Sequence, residues 1–445
     1  MSLNISTRRI FSAKTKVCQL FSVSRGVTTS RFYRIQHDVK HTSPSRRPEP
    51  SQADFLTEIG VRSIFSEEHD ILRRNARKFY TEEVVPNRER WEKDGRVDRE
   101  FWKKIGAAGL LGVGTRAEAG GWGGDYKSAC VMEEEHAYVN WLAGATFGGH
   151  SEVTLPYLDN YGTKSQHEQF VPQMVRGEKI GAIAMTEPSS GSDLQGIKTY
   201  AKQDGDDWIL NGSKVFITNG ISADVTVVVA VTDLNAKHKA RGISLFLVED
   251  GTPGFNKGRI LKKLGMRASE TGELFFDDVR LPKSAMLGGE ERLNQGFYCL
   301  MQQLPRERLG IGVVCTAHAE YIFETTREYI KQRKAFGSCL SKLQTVQHRM
   351  AEMKTKICTT RAFIDQCIQL MDEGRLDAST ASMAKIWASD MAFKVINECL
   401  QLHGGWGYMW EYPVARAFVD SRVAPIYGGS NDIMNELIAR DIVAE

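Results

Sequence analysis

Residues 208–219 read WILNGSKVFITN, and this stretch decides the fold class because the hydrophobic period of the chain changes here. Before it, from Ser66 to about Gln173, apolar residues recur at three- and four-residue steps, which is typical of amphipathic helices. Within the stretch, short alternating runs flank the pair Asn211–Gly212, which predicts a β-hairpin turn. The stretch therefore predicts that a strand-forming region follows a helical one.

The regions on either side complete a three-part organisation. The segments VTVVVAVTD, GISLFLVE and ELFFDDVRLP continue the strand pattern, and the helical period returns from Leu293 in long stretches. These stretches include Thr316–Gln332, Gln344–Met371 and Ser379–Leu402, which suit long antiparallel helices. We predict an α+β fold: an N-terminal α-helical domain over 55–180, a middle antiparallel β domain over 181–290 and a C-terminal four-helix bundle over 291–445.

The N-terminus has the composition of a targeting segment. Residues 1–36 contain no Asp or Glu, but they carry basic residues among Ser, Thr and apolar positions. This pattern predicts a mitochondrial transit peptide over 1–36 and a matrix location, and a disordered basic arm is the alternative. Residues 37–54 are rich in Pro, Ser and charge, which predicts a flexible lead-in.

Composition argues against several other classes of protein. A formal net charge of +3, with 25% charged residues, gives no reason to expect a nucleic-acid partner. No apolar run approaches the roughly 20 residues of a membrane span. The eight cysteines include no Cys-x-x-Cys pair, so we expect reduced thiols and no metal site.

Three segments have the properties of a site for a flat, phosphorylated cofactor. In MTEPSSGSD, residues 185–193, hydroxyl groups surround a glycine that permits close backbone approach. In KVFITNG, Phe216 and Thr218 are two residues apart on a strand, which predicts an aromatic plane beside a hydroxyl on one face. In QLHGGWGYMWEYP, residues 401–413, paired glycines follow a long helix. Together these segments indicate one composite binding site.

With two further motifs, this combination resembles the acyl-CoA dehydrogenase family. RKAFG at 333–337 is similar to the family's cross-subunit cofactor motif, and IYGGSND at 426–432 to its C-terminal flavin loop. The resemblance runs from about Ser66 to the C-terminus, and the segment at 401–413 is most similar to long-chain members. It implies bound FAD, a homotetramer, a fatty acyl-CoA substrate and reoxidation by electron-transferring flavoprotein.

The resemblance also implies roles for individual residues. The expected FAD contacts are Ile183, Ala184, Met185, Thr186, Glu187, Pro188, Gly191, Ser192, Phe216, Ile217, Thr218, Arg333, Phe336, Gln344, Gln401, Leu402, His403, Gly404, Gly405, Ser430, Asn431 and Asp432. The expected substrate contacts are Ser192, Tyr298, Pro305, Arg306, Arg308, Tyr427, Gly428 and Gly429. Two departures from the family pattern, Ser189–Ser190 in the first flavin loop and Ala335 in RKAFG, put the strength of FAD binding in question.

A further departure decides the catalytic base. Many family members carry Glu directly after the Tyr of the C-terminal loop, but here Gly428 follows Tyr427. Glu307, in QQLPRERLGIG, occupies the position from which other members supply the base, and Pro305 is expected to start or kink its helix. We expect Glu307 to take the α-proton of the thioester while flavin N5 takes the β-hydride.

Three alternatives stay open at this stage. An isovaleryl or other branched-chain dehydrogenase would share the helix-borne Glu, and pocket depth would distinguish it. A catalytically silent assembly scaffold would keep the fold without turnover. An acyl-CoA oxidase is disfavoured because its usual additional C-terminal domain has no room in the chain.

Overall fold

The computed structural model describes residues 62–139 and 144–443. The predicted transit peptide and lead-in lie outside the described residues, as do the first seven residues of the predicted N-terminal domain.

The N-terminal region is helical. Helix α1 (Glu67–Phe79) has the acidic residues Glu67, Glu68 and Asp70 in its first turn and the basic residues Arg77 and Lys78 in its last. This distribution of charge interacts favourably with the helix dipole at both ends. The chain continues through a π-helical turn at Tyr80–Val84. The later helices are α2 (Arg88–Asp94), α3 (Arg99–Ala107), α4 (Tyr126–Tyr138), α5 (Gly144–Gly148), α6 (Leu155–Tyr161) and α7 (Lys164–Val175).

An aromatic cluster forms the core of this region. Trp91 and Phe101 pack edge to face with their ring centroids 4.8 Å apart, and Trp102 and Phe147 do so at 5.0 Å. All four side chains are buried. Edge-to-face packing of large rings adds stability beyond the area they bury, so this cluster anchors α2 and α3 to the rest of the region.

The middle region contains the strands β1 (Gly181–Ala184), β2 (Tyr200–Asp204), β3 (Asp207–Thr218), β4 (Val225–Val231), β5 (Ile243–Glu249), β6 (Phe255–Ile260) and β7 (Thr271–Pro282). They form a seven-stranded sheet in the order β1-β4-β2-β3-β7-β6, with β5 paired to β4. Four strand pairs are antiparallel, as predicted, but β1 and β2 each run parallel to β4, so the sheet is mixed.

The hairpin turn predicted at Asn211–Gly212 is wrong. Both residues lie inside β3, and the chain reverses instead at Gly205, between β2 and β3. A Cβ atom on Gly212 would lie 2.4 Å from Thr199 Oγ1, so this glycine permits close packing within the sheet rather than a turn. Its φ of +146° coincides with a register shift against β7.

The C-terminal region consists of long helices. They are α8 (Gly296–Gln332), α9 (Gln344–Asp372), α10 (Ala378–His403), α11 (Pro413–Ser421) and α12 (Asn431–Val443), with a short hairpin of β8 (Lys334–Ala335) and β9 (Ser338–Cys339) between α8 and α9. Helix α10 packs along α8, and α12 packs on α10. Pro305 does not start α8, which begins nine residues earlier and continues through it.

A buried ion network joins the N- and C-terminal helices. The carboxylate of Glu134 on α4 binds Arg62 and Arg361, each at 2.6 Å, and Arg361 also binds Glu320 on α8 at 2.6 Å. Burial alone would raise the pKa of Glu134, but the guanidinium charges of Arg62, Arg73 and Arg361 hold it well below its ordinary value. Breaking such a buried network by removing one partner is costly because it leaves an uncompensated charge.

We expect Gly177→Ala to destabilise the protein by about 3 kcal/mol or more. Gly177 has a φ of +68°, and an added Cβ would lie 1.9 Å from the backbone oxygen of Trp102. Gly205→Ala is the matched control, because Gly205 has a φ of +64° with nothing within 4 Å, and should cost only about 1–2 kcal/mol. Urea unfolding of both variants measures the difference, and equal losses would contradict the proposed backbone contact.

Candidate active site

A cavity of about 690 Å³ lies where the three regions meet. Its walls include the following residues expected at the site: Ile183, Met185, Thr186, Gly191, Ser192, Phe216, Ile217, Thr218, Arg306, Glu307, Arg308, Tyr427, Gly428 and Gly429. Residues that are more than 200 positions apart in the chain therefore share one cavity, in agreement with a composite site.

A buried ion pair between Lys214 and Glu187 holds the loop at 185–193 in place. Lys214 on β3 donates to the Met185 carbonyl and to Glu187 Oε1, both at 2.9 Å. Glu187 also accepts from the backbone N–H groups of Lys198 and Thr199. The side chain of Glu187 thus faces the protein interior, and only its backbone is placed to contact a cofactor.

The serines that depart from the family pattern fit this loop without strain. The non-glycine residues with positive φ in the described part are Phe216, Asn219, Met266, Asp278, Asn294 and Phe336. Ser189 is not among them, so it needs no glycine. Ser190 is buried and its hydroxyl donates to the carbonyl of Asp193, which closes the loop.

Phe216 is held in a strained conformation that presents its ring to the cavity. It has a φ of +63° at a register shift between β3 and β7, and 66% of its surface is exposed. Neighbouring Val215 donates its N–H to the carbonyl of Thr186 at 3.0 Å, which ties the bulge to the loop. A non-glycine residue at positive φ costs on the order of 1–3 kcal/mol, and such strain concentrates at functional sites.

Glu307 lies in the cavity wall on α8 with one specific hydrogen-bond partner. The hydroxyl of Tyr157, a fully buried residue on α6, donates to Glu307 Oε1 at 3.0 Å. Burial raises the pKa of Glu307 to about 7, and the Tyr157 hydrogen bond and the positive charges of Arg308 and Arg306 limit the rise. A carboxyl group with this pKa can accept a proton at neutral pH.

The loop at Tyr427–Gly429 cannot carry the base in this chain. Gly428 has a φ of +64°, and a Cβ added there would lie 2.4 Å from Ile311 Cδ1. The loop is held by Lys385, which donates to the Gly429 carbonyl and to Asn431 Oδ1, both at 2.8 Å. A side chain at 428 would therefore have to displace the end of the Ile311 side chain and adopt a left-handed backbone angle.

A second cavity of about 500 Å³ lies at the end of α8 and α10. Arg333, Gln401, Leu402, His403, Gly404 and Gly405 line it, as the resemblance implies for the distal part of the cofactor. His403 is buried and stacks on Tyr329 with the ring centroids 4.2 Å apart. A Cβ at Gly404 or Gly405 would meet nothing within 4 Å, so the backbone there is open to a ligand.

Comparison with known proteins decides the family. The models of the N-terminal, middle and C-terminal domains of acyl-CoA dehydrogenases match residues 66–178, 182–279 and 294–443. The chain belongs to the acyl-CoA dehydrogenase family. The fold predicted from the sequence, α-helical, β and α-helical in turn, is confirmed by the matches and by the solved structures of the family.

Individual relatives place the chain within the acyl-CoA dehydrogenase family. It is 58% identical over 405 residues to the mitochondrial long-chain specific acyl-CoA dehydrogenase of Rattus norvegicus, covering 91% of this chain and 93% of that protein. It is 35% identical to the mitochondrial isovaleryl-CoA dehydrogenase of Pongo abelii, covering 85% and 90%.

Solved structures of acyl-CoA dehydrogenases match the fold throughout. The acyl-CoA dehydrogenase of Geobacillus kaustophilus superimposes with a TM-score of 0.83 at 44% identity, covering 86% of this chain and 99% of that one. A glutaryl-CoA dehydrogenase of Mycobacterium smegmatis, solved in complex with FADH2, matches with a TM-score of 0.80 at 29% identity, covering 86% and 97%.

Several residues that the family resemblance implied lie outside the walls of both cavities. These are Ala184, Glu187, Pro188, Tyr298, Pro305, Phe336, Gln344, Ser430, Asn431 and Asp432. Phe336 is 95% exposed. Asn431 is held by Lys385, Ser389 and Asp390, and it therefore positions the loop that precedes it.

The sequence analysis missed several supporting residues that lie far from the site motifs along the chain. Tyr157, Lys214 and Lys385 each support a site segment, and buried Glu133 and partly buried Glu152 line the larger cavity. Tyr157 is separated from Glu307 by 150 positions. No local signal in a helix such as LPYLDNY points to that partner.

Expectations from the sequence also concern the cysteines, the possible metal ligands and the apolar helices of the described part of the chain. Its seven cysteines are free thiols, and five of them are buried. Within residues 62–139 and 144–443 no group of three or more His, Cys, Asp or Glu side chains is arranged to hold a metal ion. No helix in those ranges is long and apolar enough to cross a membrane.

We expect Lys214→Met to destabilise this acyl-CoA dehydrogenase by about 3–5 kcal/mol, because it leaves the Glu187 carboxylate buried without its cation. Adding Glu187→Gln should restore part of the loss. Lys202→Met, at an exposed position on neighbouring β2, is the matched control and should change stability little. Urea unfolding measures all three, and a Lys214→Met variant as stable as the control would refute the role assigned to the ion pair.

Proposed function

We propose that this protein is a mitochondrial FAD-dependent acyl-CoA dehydrogenase that desaturates long-chain fatty acyl-CoA between the α and β carbons, with Glu307 as the base. The observation that carries this proposal is the position of Glu307. It lies in the same cavity as the loop at 185–193 and Phe216, with a pKa near 7.

The residues present fit FAD. The strained and exposed ring of Phe216 offers a flat surface beside Thr218, and the loop at 185–193 supplies hydroxyl and backbone donors. The second cavity offers Arg333, whose planar guanidinium suits a pyrophosphate, together with the open backbone of Gly404 and Gly405. Bound FAD supplies the acceptor for the hydrogen that leaves the β carbon.

Glu307 removes the proton from the α carbon in this proposal. Its burial favours the neutral acid enough to make the carboxylate a competent base near pH 7. The hydrogen bond from Tyr157 occupies Oε1, which fixes the orientation of the carboxylate and leaves Oε2 for the substrate. Tyr157 is therefore a positioning residue.

The backbone N–H of Gly428 is suited to stabilise the thioester oxygen as negative charge develops. It donates to no acceptor within residues 62–139 and 144–443. The left-handed conformation of Gly428 and the hydrogen bond from Arg308 Nε to its carbonyl at 3.4 Å hold this residue in the cavity wall. Preorganised donors of this kind are among the largest contributions to catalysis of thioester chemistry.

The substrate class follows from similarity. The 58% identity to long-chain dehydrogenases, against 35% to an isovaleryl-CoA dehydrogenase, favours long straight acyl chains over the branched-chain alternative. The same relatives are named mitochondrial, which agrees with the targeting composition of residues 1–36. A matrix location, a homotetramer and electron-transferring flavoprotein as acceptor complete the proposal.

Glu307→Gln should bind FAD normally but lose flavin reduction by about 10²- to 10⁴-fold, the usual contribution of a general base. The measurement is anaerobic bleaching of flavin absorbance by palmitoyl-CoA, with isovaleryl-CoA alongside. Glu328→Gln, on the same helix but outside the cavity, is the control. Near-normal bleaching of Glu307→Gln would show that another group is the base, and bleaching of the unaltered protein by isovaleryl-CoA alone would favour the branched-chain alternative.

The rate of flavin reduction should rise with pH and level off above about pH 7, because only the ionised form of Glu307 accepts a proton. Tyr157→Phe removes a hydrogen bond that stabilises this ionised form and lowers its pKa, so the midpoint should move to higher pH. Tyr161→Phe, on the same helix with partners other than Glu307, should leave the midpoint unchanged. An unchanged or lower midpoint in Tyr157→Phe would exclude the proposed positioning role.

A further inference from the structure

A buried carboxyl group without a protein partner lies in the wall of the larger cavity. Glu133, on α4, exposes only 8% of its surface and lines the cavity. Its carboxyl group makes no hydrogen bond or ion pair with any residue of the described ranges. Buried polar groups are normally satisfied, so a group that faces a cavity takes its hydrogen-bond partner from whatever fills the cavity, water or ligand.

The structure leaves space for this carboxyl group to reach the cavity. Gly148, which also lines the cavity, has no side chain, and a Cβ added there would lie 2.7 Å from Glu133 Oε1. Any larger residue at 148 would therefore cover the carboxyl group or push it aside. The glycine leaves the acid open to whatever occupies the cavity.

The surroundings favour the neutral, protonated form of the Glu133 carboxyl group. Burial raises the pKa of Glu133 well above its ordinary value, and the negative charge of Glu152 raises it further. Glu152 is itself ion-paired with Arg306, whose guanidinium lies 4.7 Å from the centroid of the Tyr126 ring. The Arg306 guanidinium is therefore already engaged by Glu152, and the raised pKa favours the protonated form of Glu133, which can both donate and accept a hydrogen bond.

A plain alkyl chain is poorly matched to this wall. Much of the remaining lining is apolar, with Ala129, Ala145, Val153 and Leu304 among the residues present. An alkyl chain packed over Glu133 would remove water from the carboxyl group and offer no hydrogen bond in its place. A hydroxyl group on the chain would restore the lost hydrogen bond.

We propose that the cavity accepts acyl chains that carry a hydroxyl group, and that Glu133 is the specificity-determining residue that binds this hydroxyl. The proposal deepens the function proposed above and rests on the acyl chain of the substrate occupying this cavity. A hydroxyl fits better than a charged group. A carboxylate on the acyl chain would meet the carboxylate of Glu152, whose partner Arg306 is already paired. An ammonium group on the chain would require Glu133 to ionise beside Glu152.

The test compares palmitoyl-CoA with a set of hydroxypalmitoyl-CoAs whose hydroxyl stands at successive carbons from mid-chain to the end. Anaerobic flavin bleaching gives kcat/KM for each compound with the FAD-loaded enzyme. We expect at least one hydroxylated chain to be preferred over palmitoyl-CoA by about tenfold, the usual effect of satisfying one buried polar group. Binding of the same compounds, followed by the shift of the flavin spectrum, should show the same preference.

Three variants assign the preference to Glu133. Glu133→Leu should abolish it and speed the reaction of palmitoyl-CoA, whereas Glu133→Gln, which keeps a donor and an acceptor, should retain most of it. Glu168→Gln, on an exposed face of α7, controls for the loss of one charge. An unaltered enzyme with no preference for any hydroxylated chain, or a Glu133→Leu variant with an unchanged preference, would overturn the proposal. Failure of palmitoyl-CoA and all hydroxylated chains to bleach the flavin would instead reject the proposed function.

Discussion

The carboxylate of Glu134 bound by buried guanidinium groups is the interaction on which the site depends. It joins α4 to the C-terminal helices through Arg361, which also binds Glu320 on α8. Helices α4 and α8 supply two walls of the larger cavity, with Glu133 on one and Glu307 on the other. The distance between these walls is therefore set by charges that are buried together and cannot separate without a large desolvation penalty.

Buried carboxyl groups with opposite properties coexist in this framework. Glu134 has a pKa well below its ordinary value because cations surround it, although burial opposes that effect. Glu307 is also desolvated, but its neighbours are a neutral phenol and two arginines that compensate only in part, and its pKa rises to about 7. The carboxyl group of glutamate thus has a low pKa at position 134 and a pKa near neutrality at position 307, and the number of close cations makes the difference.

The sequence was sufficient for features encoded locally. Helical periodicity predicted the long helices α9 and α10 within two residues at each end, and the flavin motifs led to Phe216 and Thr218. Asn211–Gly212 misled because an Asn-Gly pair also suits a strand position where another backbone approaches closely, as Thr199 does here. Tyr157 and Glu133 acquire their importance from partners or spaces that only folding brings near, so no local pattern could reveal them.

The left-handed Gly428 and the Ile311 side chain beside it also constrain how this protein could change. A side chain at 428 would have to adopt the left-handed backbone angle and displace the end of the Ile311 side chain. A Glu acquired at 428 would bring backbone strain and would place a second carboxylate beside Glu307 in one cavity. With the base proposed at Glu307, a transfer of the base to the loop would therefore pass through a form that has either both carboxylates in the cavity or neither, and the left-handed backbone at 428 adds a cost to the first.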